Sequence, residues 1–130
     1  MIVLDASVVV EWLLRTPAGH SIERRIHSRG ESLHAPHLID LEVTQVLRRQ
    51  VREERVSLRR ADEVMHDLIR LKIRRYPHTA LLLSIWQYRH NLSAYDAAYV
   101  VLAETLGAAL LTRDARVAAA RGHGAAIELF

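Results

Sequence analysis

Apolar positions along this chain recur with two different spacings, and the alternation between them predicts the element order. Met1-Ile2-Val3-Leu4 is a short apolar, β-branched run that stops at Asp5 and reads as a buried strand. Ser7 is the expected cap of a helix over Val8 to Leu14, which Pro17-Ala18-Gly19 breaks. A second helix is expected to run to about Arg29, ahead of Gly30, and Ser32 to Ala35 forms a short strand ended by Pro36. From about Pro36 to Glu53 the period is helical, with Leu38, Ile39, Val43, Val46, Leu47 and Val51 on one face. A further helix follows Val56-Ser57 and reaches about Leu71, and Lys72-Ile73-Arg74 reads as an edge strand. Pro77 precedes a helix expected to extend through about Arg89. Ser93 to Asp96 has the form of a helix start, and Gly107 ends that helix after Leu106. Ala108 to Thr112 is the next strand, Asp114 opens a short helix to Arg121, and Ala126 to Leu129 is the last strand.

Strands that alternate with helices imply an α/β fold with a mostly parallel sheet covered on both faces. A length of 130 residues fits one domain spanning 1–130. In such sheets ligands bind beyond the carboxyl ends of the strands. Asp5 and Asp114 follow two of the predicted strands and therefore lie at that edge, and Asp96 lies in the first turn of its helix. Glu42 falls between Leu38 and Val46, inside the apolar stripe of its own helix, where a carboxylate needs a partner or a cation. Each acid alone has a plainer reading: a cap or dipole-compensating role for Asp5, Asp96 and Asp114, an arginine partner for Glu42. Four converging carboxylates, however, repel by about 4 kcal/mol per pair at ~4 Å and an effective dielectric near 20. Either some are protonated or a hard cation binds, and all-oxygen ligation suits Mg²⁺, Mn²⁺ or Ca²⁺.

Composition narrows the chemistry further. There is no cysteine, which excludes disulfides and thiolate metal or redox sites and fits a reducing cytosol. No apolar run reaches the length of a membrane span, and Asp5 and Glu11 interrupt the apolar N-terminus, so no signal peptide is expected. Lysine and arginine total 18, with Lys72 the sole lysine. Arginine forks match phosphate geometry, so a nucleic-acid partner is allowed, while a genome biased toward arginine codons explains the same count. Arg48, Arg49, Arg52, Arg55, Arg59 and Arg60 form the densest basic cluster, readable as an RNA or protein contact or as a solvated face balanced by Glu53 and Glu54. His34 and His37 have ligand-like spacing but no third partner, and Trp12 and Trp86 are expected to pack in the core.

Four segments together carry a resemblance: Asp5-Ala6-Ser7 after the opening strand, Glu42 in the long third helix, Tyr95-Asp96-Ala97-Ala98-Tyr99 leading into Leu102-Ala103, and Thr112-Arg113-Asp114 after Ala109-Leu110-Leu111. In order and spacing they resemble the PIN-domain ribonucleases, among them the VapC toxins of bacterial toxin–antitoxin pairs, over essentially the whole chain. The resemblance implies a three-layer α/β/α sandwich with about four or five strands. It implies Asp5, Glu42, Asp96 and Asp114 as acids holding one or two Mg²⁺ or Mn²⁺ ions for hydrolysis of RNA. Ser7 and Thr112 would be hydroxyls that orient carboxylates and waters, with a helix cap and a β-branched strand end as their plainer readings. It also implies inhibition by a VapB-type antitoxin and homodimer formation. The chain departs from some relatives at Ala115-Arg116-Val117, where a further acid or Asn often follows. Arg113 and Arg116 flank Asp114 as candidates for holding the RNA backbone, or as ordinary solvated arginines.

Two other readings compete. A Mg²⁺-dependent phosphatase or phospho-acceptor domain would use Asp5 as nucleophile but generally needs a lysine near the phosphate, and Lys72 lies at no predicted strand end beside the acids. A catalytically silent PIN fold that only binds RNA or protein would have no need of all four acids. Phosphate-loop chemistry is excluded because no Gly-rich loop ends in Lys-Ser or Lys-Thr.

Overall fold

A computed structural model describes residues 1–130. Strand β1 (Ile2–Leu4) is followed by α1 (Ala6–Leu14) and α2 (Pro17–Ser28), then β2 (Leu33–Pro36), α3 (Leu38–Arg52), α4 (Leu58–Arg70) and β3 (Ile73–Tyr76). The second half holds α5 (Leu82–Gln87), α6 (Ala94–Leu106), β4 (Ala109–Thr112), α7 (Ala115–Ala119) and β5 (Ile127–Leu129). The five strands lie in the order β3-β2-β1-β4-β5, and every pair is parallel.

β1 is central because every one of its residues is apolar and buried on both faces, as a parallel interior strand requires. The chain moves from β1 outward to β2 and β3, then returns to the other side of β1 to add β4 and β5. Right-handed crossovers therefore place α1–α4 on one face of the sheet and α5–α7 on the other. α1 packs on α2, α3 and α4, while α6 lies across β1, β2 and β4. α6 is apolar almost all round, with Ala97 through Ala103 buried. The order of strands reverses between β1 and β4, which opens the crevice where α/β sheets bind ligands.

Several boundaries differ from those the pattern predicts. The first helix does not start at a Ser7 cap: Asp5 holds the cap position with extended backbone (φ −80°, ψ 154°), and Ser7 lies inside the first turn. The break after α1 falls at Arg15, in the left-handed region (φ 56°), and Thr16 caps α2 by accepting from the Gly19 amide. Pro17 is then the first helical residue, a position that does not need its missing N–H. Gly19 itself permits the close approach of α2 to α1, since a Cβ there would lie 2.1 Å from the Glu11 carbonyl oxygen. The helix expected up to Arg89 is a 3₁₀ turn at Thr79–Leu81 followed by the six-residue α5, because only Ile85 of this segment reaches the core. Trp12 packs partly buried against the core, but Trp86, expected inside, is 66% exposed, turned about 100° around α5 from the buried Ile85. No helix is long and apolar enough to cross a membrane.

Candidate active site

β1 and β4 run side by side in register, Leu4 against Leu111, so the residues that follow them meet at the carboxyl edge. The Asp5 amide donates to the Leu111 carbonyl (3.0 Å), which extends the pairing to the acid itself. Asp5 occupies a helix cap without capping: its side chain makes no bond to the α1 amides. Its Oδ2 instead accepts from the hydroxyls of Ser7 (2.8 Å) and Thr112 (2.6 Å). Thr112 is fully buried at the end of β4, and its Oγ1 also accepts from the Asp114 amide (3.0 Å). Ser7 Oγ accepts from the Arg113 amide (3.0 Å). These two hydroxyls tie the ends of β1 and β4 together and fix the orientation of one carboxylate.

Glu42 projects from α3 toward the same place, as its position within the apolar stripe predicts. Its Oε2 accepts from the Tyr99 hydroxyl at 2.5 Å. Tyr99 is buried on α6, three residues after Asp96, and its phenol bridges two helices that the sheet separates in sequence. The motif reading includes Tyr99 without giving it a role; spacing i, i+3 from an acid is the signal that could have found it. Asp96 lies in the first turn of α6, which Ser93 caps by accepting from the Asp96 amide (3.1 Å).

The electrostatics of the group are unbalanced. Burial pushes the Glu42 carboxyl above its ordinary range; the Tyr99 hydrogen bond opposes this, and the charges of Asp5 and Asp96 add to the rise. Burial likewise raises Asp96, partly countered by Ser93 and reinforced by Asp114 and Asp5. The Tyr99 phenol is pushed far above its usual value by burial and then by the Glu42 charge. Asp114 is the exception. Arg116 holds it below the usual carboxylate range, with Nε on Oδ1 (3.1 Å) and Nη2 on Oδ2 (2.7 Å), and the Arg116 amide donates to Oδ1 (2.8 Å). Asp114 thus caps α7, as its plainer reading expects.

The charges of Asp5 and Asp96 therefore reach Glu42, and those of Asp5 and Asp114 reach Asp96, within one crevice, with Asp114 at its rim. No three acidic or histidine side chains stand close enough to enclose a single ion in this arrangement. The donor set nonetheless suits a hard divalent cation: carboxylate oxygens only, two of the acids burdened by burial and like charge, and no cation of the chain beside Glu42 or Asp5.

The other candidate residues lie elsewhere. The Arg113 guanidinium turns to Glu11 (2.5 Å) and the Phe130 carbonyl (3.5 Å), so it is not directed at the crevice. Of the acids left ambiguous by the sequence, Glu11 pairs with Arg113 and bonds Thr16, Asp40 takes a bidentate bond from Arg75, and Glu128 one from Arg25. His34 is buried between Ser32 (2.8 Å) and Tyr76 (2.8 Å), while His37 is exposed, so the two do not form a pair.

Comparison with known proteins agrees with this architecture. The PIN domain family matches residues 2–122. Ribonuclease VapC12 of Mycobacterium tuberculosis is 43% identical over 99% of this chain and 98% of its own length. Ribonuclease VapC1 of the same organism is 41% identical over 98% and 96%. Among solved structures, PAE2754 from Pyrobaculum aerophilum has a TM-score of 0.71 at 25% identity, covering 97% of this chain and 81% of that one. Mycobacterium tuberculosis VapC20, a toxin that cleaves the sarcin-ricin loop, shares the fold, with a TM-score of 0.69 at 19% identity over 92% and 94%. The chain belongs to the PIN-domain family, in the group of the VapC ribonucleases.

Proposed function

We propose that the chain is a divalent-metal-dependent ribonuclease toxin that hydrolyses RNA phosphodiester bonds, with Asp5, Glu42, Asp96 and Asp114 as the acids of its centre. The observation that carries this reading is the crevice at the β1/β4 switch point, where the charges of Asp5 and Asp96 add to the rise of Glu42, that of Asp5 adds to the rise of Asp96, and the side-chain bonds to Asp5 and Glu42 come only from neutral hydroxyls. The names of the VapC relatives support the activity.

Mg²⁺ or Mn²⁺, when bound, supplies an activated water and offsets charge on the phosphate. The chain's own part is positional. Ser7 and Thr112 hold Asp5 with one oxygen committed and the other free, and Tyr99 does the same for Glu42. Asp114 has both oxygens on Arg116, so its entry into the centre would require that arginine to let go, leaving a guanidinium beside the phosphate. No side-chain nucleophile is needed. A VapB-type antitoxin and a second copy of the chain are the partners that membership of this family suggests, acting in the cytoplasm.

Purified protein incubated with RNA tests the reading. Cleavage should require Mg²⁺ or Mn²⁺, stop with EDTA, and vanish in Asp96→Asn. Mg²⁺ should also raise the melting temperature of the wild type but not of Asp96→Asn. Equal shifts in both proteins, or cleavage that survives EDTA, would refute it.

A further inference from the structure

An apolar cleft of about 170 Å³ opens between the N-terminal turns of α3 and α6 and the start of α5. Leu38, Ile85, Ala94, Tyr95 and Ala98 line it, and His78 is its one polar wall. The cleft adjoins the acids on both helices. Leu38 is one turn before Glu42 on α3, roughly 6 Å along the axis, and Tyr95 directly precedes Asp96 on α6. An apolar cavity of about 150 Å³ accepts a benzene ring, so this one has room for a single planar heterocycle.

Its rim is unusual for a soluble surface. Tyr95 is 66% exposed in the first turn of a helix whose middle, Ala97 through Ala103, is buried. A second apolar hollow shares Leu82, Ile85 and Ala94 with the first and is edged by Trp86, equally exposed, with the Arg89 guanidinium 5.1 Å from the Trp86 ring centre. Two uncovered aromatic faces and one arginine thus lead away from the carboxylates along α5. No charged side chain lines the first cleft, so it suits a neutral ring rather than a phosphate.

We infer that this cleft is a nucleobase subsite, which takes one unstacked base next to the bond that is cut and stacks it against Tyr95. Single-stranded RNA is read by bases splayed onto aromatic side chains, and each such stack is sequence-tolerant because every base presents a π-face. The inference rests on the ribonuclease reading and assigns a place to the substrate's base, where the carboxylates address only its phosphate. A preference among bases would come from His78 and the Tyr95 hydroxyl, the two side chains of the cleft wall that can hydrogen-bond.

The test walks a single abasic residue through a short RNA that the wild-type protein cleaves in Mg²⁺. One position beside the cut bond should lower kcat/KM between about fivefold and 150-fold. In Tyr95→Ala the intact RNA should fall to the level of the abasic one, with less than about a twofold difference between them, whereas Tyr95→Phe should keep the discrimination. No sensitive position, or a penalty that persists in Tyr95→Ala, overturns the subsite while leaving the nuclease intact. A change in sedimentation of Tyr95→Ala with the abasic penalty unchanged overturns it in favour of a contact between copies of the chain. A second measurement needs no cleavage. In EDTA, 2-aminopurine at the sensitive position, or walked through the RNA if none is cleaved, should change fluorescence on binding wild type but not Tyr95→Ala; no change with either protein overturns the inference.

Discussion

Two sets of buried or half-buried charges in this molecule are handled in opposite ways. On the far side of the fold, Arg25 sits between Glu31 (2.7 Å) and Glu128 (2.7 Å), and nearer β3 Arg75 grips Asp40 with Nε and Nη2. Each of these acids has an arginine from another element, and the Arg25 pair holds Glu31 below its ordinary range. At the β1/β4 edge, Asp5 and Glu42 accept only from neutral hydroxyls, and Glu42 and Asp96 rise instead of falling. In a chain so rich in arginine, acids that face one another without a guanidinium are a cost to folding that an exogenous cation can offset. On the proposed reading, the difference separates carboxylates that are structural from those that would hold a metal ion.

The largest contrast should appear in activity. Asp5→Asn should lower RNA cleavage by on the order of 100-fold or more, since it removes a carboxylate from the proposed metal centre. Asp40→Asn removes an acid of the same type from an internally balanced pair, and cleavage rates should stay within about twofold. Comparable losses in the two variants would erase the distinction.

Metal affinity comes next. Tyr99→Phe and Thr112→Val each remove a hydroxyl that orients a carboxylate, and Mn²⁺ titration should show dissociation constants weakened by about 10-fold to 100-fold. Packing alone would lower the melting temperature and leave Mn²⁺ affinity unchanged.

Stability should move in opposite directions in the two regions. Arg25→Ala strands Glu31 and Glu128 and should cost about 1–3 kcal/mol in chemical denaturation. Asp96→Asn, measured without divalent ions, should instead raise the melting temperature by about 2–4 °C, because it removes a like charge. A drop in Asp96→Asn comparable to that in Arg25→Ala would contradict the assignment.

The smallest effect is the pH dependence of the metal-free chain. Glu42 and Asp96 have folded-state pKa values above their ordinary 4.5 and 3.8, so the folded chain binds more protons than the unfolded one above those values. Stability should therefore decline as pH rises through that window and recover as pH falls back toward it. Glu31 and Asp114 have the reverse shift, and their contribution is lost below their own ordinary values as pH falls through the folded ones. Thermal melts of wild type and Glu42→Gln in EDTA should differ in slope above about pH 4.5, the variant being flatter.

Much of this arrangement was legible in the residues. Strand ends pointed to Asp5 and Asp114 and a misplaced acid in an apolar stripe to Glu42; the fold brings Asp5 and Glu42 toward one edge, while Asp114 caps α7 and is held by Arg116. Ser7 and Trp86 were not legible. Ser7 has the chemistry of a cap, but the extended backbone lies two residues earlier, and its hydroxyl serves Asp5 instead. Trp86 sits among apolar neighbours, yet α5 is too short and too peripheral to bury more than Ile85. The Tyr99–Glu42 bond links residues 57 apart, beyond anything local spacing reports.

Periodicity and the type of residue at each strand end determined the α/β order, the buried character of β1 and the identity of the acids, because those depend on local propensity and on how each element turns its apolar face. Which acids keep a guanidinium and which face one another was decided only in three dimensions. Strand order β3-β2-β1-β4-β5 brings Leu4 beside Leu111 and so Asp5 beside Thr112, and it leaves Tyr95 and Trp86 uncovered near the same edge. Neighbours across a parallel sheet are set by the packing of whole helices, and no short stretch of sequence encodes that energy by itself.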